Sequence, residues 1–249
     1  MNMMICFAQV SMTEVVGVIE ILVGLIAIWM AMKHASDLKS LVQVASTRYL
    51  SDFPAYLSDL ARLVTKAETS IVIFCDFPAY GRFSNHRAFI EYRYALEKKK
   101  IDIDNIRIEI TCLSKEQRRL AVRQQFENEF AIRSKKFSLL LEKFLADCGV
   151  TTHTAETLDL ETFLDLAETA NSDMLEEAFL HQHVEVDQPM HIFFWLIDGR
   201  EAIFSVASRS EKALEHAFYT RDTRLIEAFE SMRSLYQREQ DGLKLARTA

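Results

Sequence analysis

HIFFWLIDGREAIFSVA, residues 191–207, is the stretch that decides the fold. Its two arms, HIFFWLI (191–197) and EAIFSVA (201–207), are dense in β-branched and aromatic residues. Asp198-Gly199 lies between them, a pair that readily takes the left-handed backbone a tight hairpin turn requires. Two paired strands are therefore expected, too apolar to face water on both sides. HVEVD (183–187) lies just upstream as a third strand candidate. Further back, SIVIFCD (70–76) is a short apolar strand ending in a carboxylate, and IRIEITCL (106–113) alternates apolar with polar residues as a half-buried strand does.

Helical spacing fills the intervals. Residues 86–99 carry Phe89, Ile90, Tyr92, Tyr94 and Leu96 for a buried side. Residues 115–147 predict a helix in two pieces broken near Ala131, and residues 158–180 an acidic one. Helices are also expected at 34–67, interrupted by Pro54, at 210–217 and at 222–239. A β-α-β-α opening, a hairpin and closing helices make an α/β protein with a mixed β-sheet flanked by helices. The sequence shows no internal repeat and no low-complexity segment.

The 249 residues suit one domain of about 200 residues plus an anchor. Net charge is −7, which gives no general pull toward nucleic acid. The four cysteines are scattered without C-x-x-C spacing, as expected of buried free thiols in a reducing compartment.

VVGVIEILVGLIAIWMAM (15–32) is apolar on every side except at Glu20, and apolar character continues upstream. That length predicts one transmembrane helix. Lys33 and Lys39 follow it and no Lys or Arg precedes it, which places the N-terminus outside and the body in the cytoplasm, at the inner membrane. The expected organisation is an anchor over 1–33, a juxtamembrane helical linker over 34–50 and a cytoplasmic domain over 51–249. Gly17, Glu20, Gly24, Ala27 and Ala31 form one narrow stripe, which predicts helix packing and a homo-oligomer.

In the hairpin, His191 is followed seven residues later by Asp198, and Ser205-Val206 stands on the second strand. This resembles the phospholipase D superfamily, whose motif is H-x-K-x4-D on a strand followed by a Gly-Ser pair on the next. IVIFCDFPAYGRFSNHRAFIEYRYAL (71–96) and EHAFYTRDTRLIEAF (215–229) are similar to its single-domain bacterial members. The resemblance covers residues 49–236, almost the whole body. It implies His191 as the nucleophile on phosphorus, with Asp198 in the catalytic set. The sequence departs from the motif where Phe193 replaces the lysine and Ser205-Val206 replaces Gly-Ser. Losing the lysine removes several kcal/mol of charge stabilisation from a phosphoryl transition state.

Each candidate also has a plainer role. His191 fits a strand-end histidine and Asp198 the first residue of an Asp-Gly turn. Arg221 fits either an anion contact in a cleft or a surface pair. Asp76 ends a strand where α/β sheets place ligands, and Tyr80, Arg82 and Ser84 follow on its loop. Ser205 completes the candidate ligand set. His181, His183 and Asp187 lack the convergence of a metal site, and no phosphate loop or dinucleotide fingerprint indicates a cofactor. The expectation is a membrane-anchored, catalytically degenerate protein that binds a phosphate-containing ligand or partner. The alternatives are an active phosphodiesterase using His191 in a dimeric site, and a non-catalytic assembly factor.

Overall fold

The computed structural model describes residues 46–207 and 215–248. The anticipated transmembrane helix at 15–32, its packing stripe (Gly17, Glu20, Gly24, Ala27, Ala31) and the upstream part of the linker lie outside the described residues. Among the described residues no helix is long and apolar enough to cross a membrane.

Seven strands form one mixed sheet: β1 (Thr47–Asp52), β2 (Ser70–Phe74), β3 (Arg107–Leu113), β4 (Gln182–Val186), β5 (Ile192–Ile197), β6 (Glu201–Ala207) and β7 (Glu215–Thr220). Their order is β1-β7-β6-β5-β2-β3-β4. β2, β3 and β4 run parallel, while β5, β6, β7 and β1 continue antiparallel from β2. Among the described residues six helices accompany it: α1 (Leu57–Val64), α2 (His86–Asp102), α3 (Lys115–Ile132), α4 (Lys135–Asp147), α5 (Leu160–Leu175) and α6 (Thr223–Thr248).

The β5–β6 hairpin closes as its sequence predicts. Asp198 and Gly199 both take positive φ (52° and 62°), and the Arg200 amide donates to the Ile197 carbonyl at 2.9 Å. Alternation then sends Phe193 and Trp195 to one face and Phe194 to the other. On the first face the Trp195 indole donates to the Tyr92 hydroxyl of α2 at 3.1 Å. On the second, Phe194 stacks between Phe74 and Phe229 of α6, with ring centroids 4.8 Å away on each side. A buried aromatic of this size contributes about 3–5 kcal/mol, so the hairpin is the centre of the core.

A second core lies in a lobe of α3, α4 and α5, where Phe130, Phe137, Phe144 and Phe163 pack together. Arg133 breaks the helix between α3 and α4 with φ 52°, and its guanidinium donates to the Ala155 and Leu158 carbonyls at 2.6 and 2.5 Å. Ser134 then caps α4 by accepting from the Phe137 amide at 3.2 Å. Arg118 of α3 fastens the lobe to the sheet. Its buried guanidinium donates to Glu168 of α5 at 2.5 and 3.0 Å, to Glu185 of β4 at 2.7 Å and to the Leu113 carbonyl at 2.6 Å.

Two expectations need correction. The helix expected at 210–217 gives way from Glu215 onward to β7, which pairs with both β6 and β1. The alternation in EHAFYT fits that strand better than a helical repeat. The helical linker expected over 34–50 gives way from Thr47 onward to β1, so Pro54 follows a strand and does not interrupt a helix. In both places sheet pairing overrides a short helical spacing. α6 also runs to Thr248, beyond the expected Glu239.

Candidate functional site

The parallel strands β2 and β3 end beside the lobe, and a cavity of about 250 Å³ opens between the sheet and the lobe. Asp76, just past β2, and Glu215, the first residue of β7, supply its charge on the sheet side. The β2–α2 loop contributes Phe77, Tyr80, Arg82, Phe83 and Ser84, and the lobe contributes Phe126, Phe144 and Phe163. Asp76, Tyr80, Arg82 and Ser84, expected together from sequence, are brought together here. Gly81 lets the loop turn: its φ is +86°, and a Cβ there would lie 2.5 Å from Leu57 Cδ1. A side chain at that position would meet both a backbone cost of about 1–2 kcal/mol and a steric clash.

Glu215 is held by two phenols. Tyr56 and Tyr80, both buried, donate their hydroxyls to its Oε1, and the two hydroxyl oxygens also touch. Burial, then the neighbouring negative charges, pushes both phenols well above the usual tyrosine range, so both stay protonated donors. Asp76 accepts from the Phe77 amide at 2.8 Å. Its carboxyl is raised to about 7, first by burial and then by the Glu215 charge, against the lowering effect of backbone hydrogen bonds. Asn171 is a bracket rather than a ligand contact: it accepts from the Ala79 amide at 3.0 Å and donates to the Ala167 carbonyl at 3.1 Å.

Phe193, in the place of the motif lysine, is buried with its ring 5.8 Å from that of Tyr80. It packs behind Tyr80 and is not among the lining residues. Ser205 lies opposite Phe193 in the hairpin register and is fully buried. It lies behind the Tyr56 phenol and is not among the lining residues.

The other sequence candidates stand elsewhere. Asp198 is at the opposite end of β5 from His191. Its carboxylate accepts from the Glu68, Thr69 and Ser70 amides at 2.9, 2.7 and 2.8 Å and from the Thr69 hydroxyl at 2.8 Å. Burial alone would raise its pKa, but the Ser70, Thr69 and Glu68 amides outweigh burial and lower it. Asp198 therefore locks the hairpin turn to the start of β2. Arg221 shares that far end, paired with Glu201 at 2.5 Å over the Tyr219 ring, and does not line the cavity. His191 is exposed at the near end, just before β5, and is not among the lining residues. Among the described residues no group of three His, Cys, Asp or Glu side chains is placed to hold a metal ion.

Comparison with known proteins adds neighbours of low similarity. The chain is similar to phospholipase D family members. Nuc from Salmonella typhimurium is 10% identical with a TM-score of 0.37, the match covering 77% of this chain and 93% of that one. NucT from Helicobacter pylori is 10% identical with a TM-score of 0.38, covering 76% and 94%. TrmBL2, an archaeal chromatin protein, is 10% identical with a TM-score of 0.40, covering 88% of this chain and 64% of its own. No family model and no curated protein sequence matches the chain.

Tyr56, Glu215 and the phenylalanines of the lobe were not among the sequence candidates. Glu215 lay within a stretch read as helix. Tyr56 had no motif to mark it, although its spacing before Leu57 and Leu60 marks the start of a buried helix face.

Proposed function

We propose that this domain is a non-hydrolytic binding module of phospholipase D-like type, which takes a small ligand into the cavity between Asp76, Glu215 and the lobe. One observation supports this above the rest: the motif lysine is replaced by Phe193, buried against Tyr80. Phosphoryl transfer needs positive charge around the phosphate oxygens. The lining offers one guanidinium, Arg82, against two carboxylates. A phosphate-containing ligand would have Arg82 as its contact, in the role the sequence assigned to Arg221.

The bilayer anchor at 15–32, the cytoplasmic placement and self-association through the glycine stripe belong to the same proposal and rest on the sequence. The scaffolding alternative shares the non-catalytic cavity. The enzyme alternative rests on exposed His191 at the same end of the sheet as Glu215. The experiment is turnover of bis-p-nitrophenyl phosphate by the full chain, wild type beside His191→Ala. Equal, blank-level rates are expected in both. Turnover by the wild type that vanishes in His191→Ala would replace this reading with the enzyme.

A further inference from the structure

Two carboxylates face the cavity with no cation paired to either among the described residues. Glu215 Oε1 is occupied by the two phenols, and Asp76 Oδ1 by the Phe77 amide. Arg82 lines the same space, but its guanidinium reaches toward the Cys148 sulfur at 3.8 Å and forms no ion pair. Like charges sharing a low-dielectric space raise each other's cost of ionisation, and a cation placed between them removes that cost.

The cavity walls select the kind of cation. A bare metal ion wants three or four converging ligands, and the described residues offer no such group here. Six phenylalanines (Phe53, Phe77, Phe83, Phe126, Phe144 and Phe163) line the remainder of the cavity. Aromatic faces attract organic cations and bury apolar bodies. We infer that the cavity binds a primary amine carrying an apolar or aromatic body, with the ammonium between Asp76 and Glu215 and the body against the phenylalanine wall. This deepens the binding reading above and rests on it.

Binding of an ammonium requires Asp76 to be ionised, so protons are released on binding near neutral pH. The titratable groups around Asp76 are Glu215 from β7, Tyr80 and Arg82 from the β2–α2 loop, and the adjacent Cys75, whose thiol burial keeps protonated. The lobe presents Gln125 and Asn171, which do not titrate. Burial keeps both tyrosines protonated, so the response near neutral pH falls to Asp76.

The experiment is calorimetric titration of the full chain with 2-phenylethylamine, phenethyl alcohol and phenylacetate, at about pH 8 and about pH 5.5. At the higher pH the amine is expected to bind about tenfold tighter than the alcohol, with phenylacetate weakest. The gap should narrow at the lower pH. Asp76→Asn should remove most of the amine's advantage over the alcohol; removing one of two like charges does not endanger folding, and a thermal melt verifies this. Equal affinities for amine and alcohol, or an unchanged preference in Asp76→Asn, overturn the amine assignment and leave a binding cavity. Failure of all three probes overturns the assignment together with the binding-module reading.

Discussion

Asp76 and Asp198 stand at opposite ends of the same sheet, and the fold treats them in opposite ways. Asp198 is surrounded by donors: three consecutive amides and a hydroxyl converge on its carboxylate, and its pKa is lowered. Asp76 has only local backbone donors, a partly buried setting and a carboxylate neighbour, and is raised to about 7. The difference separates architecture from function. A carboxylate saturated by backbone donors stabilises its surroundings and has no capacity left for a ligand. A carboxylate left short of donors destabilises the apo protein when ionised and is available for one.

The largest expected effect falls at the saturated end. Asp198→Ala leaves three amides without their acceptor and places alanine at a positive φ, so the loss of stability should be about 2–4 kcal/mol. Chemical denaturation measures it, and ligand titration at the other end should be unchanged in the folded fraction. An effect below about 0.5 kcal/mol would mean that water replaces the carboxylate without cost, and the contrast between the two ends would collapse.

Next comes the pH dependence of Asp76→Asn against wild type. Because the folded pKa of Asp76 is raised, its stabilising contribution is complete below the unfolded value and is lost as pH rises through about 7. Wild type should therefore gain stability relative to Asp76→Asn on acidification from about pH 8 to pH 4, by ~2 kcal/mol once solvent screening of this half-buried group is allowed for. The Asp198 pair should behave inversely: its lowered pKa gives stability that is present above the unfolded value and lost as pH falls through the folded one. Denaturant midpoints across that range test both signs, and parallel slopes would contradict the assignment.

The smallest effect belongs to Arg221→Ala. Its guanidinium is exposed and paired with Glu201, so the melting temperature should shift less than with either aspartate change, and the shift should vanish at high salt. Affinity in the cavity should not move. A changed affinity would place the far end of the sheet in the site after all.

How far the sequence foretold this arrangement follows the range of the forces involved. The hairpin was fully legible because Asp198-Gly199 fixes its own turn and the apolar arms fix the strands. The helix break at Arg133 was legible within two residues, near Ala131. The loop cluster from Asp76 to Ser84 was legible as the end of an apolar strand in an α/β pattern. β7 and β1 were not. Both are antiparallel partners at the sheet margin, and a short strand there is selected by its neighbour rather than by its own composition. That error hid Glu215, and with it the second cause, after burial, of the raised Asp76 carboxyl. The H-x-x-x-x-x-x-D spacing of His191 and Asp198 drew the reading along one strand, although its two residues lie at opposite ends of the sheet. Tyr56 and Tyr80 meet across residues far apart in the chain, a pairing that no local pattern could announce.

The connection from β3 to β4 has one more implication. A parallel crossover needs only a dozen or so residues, usually a single helix. Here residues 114–181 make that crossing with three helices, hung from the sheet at Arg118. The charged groups of the cavity belong to the sheet and the β2–α2 loop, while half of its phenylalanines (Phe126, Phe144 and Phe163) belong to this detour. Charge preference and shape preference are thus encoded in separable stretches of chain. Exchange of the detour for one of different length, with the Arg118 fastening retained, would retune the size of molecule admitted while leaving its required charge as it was.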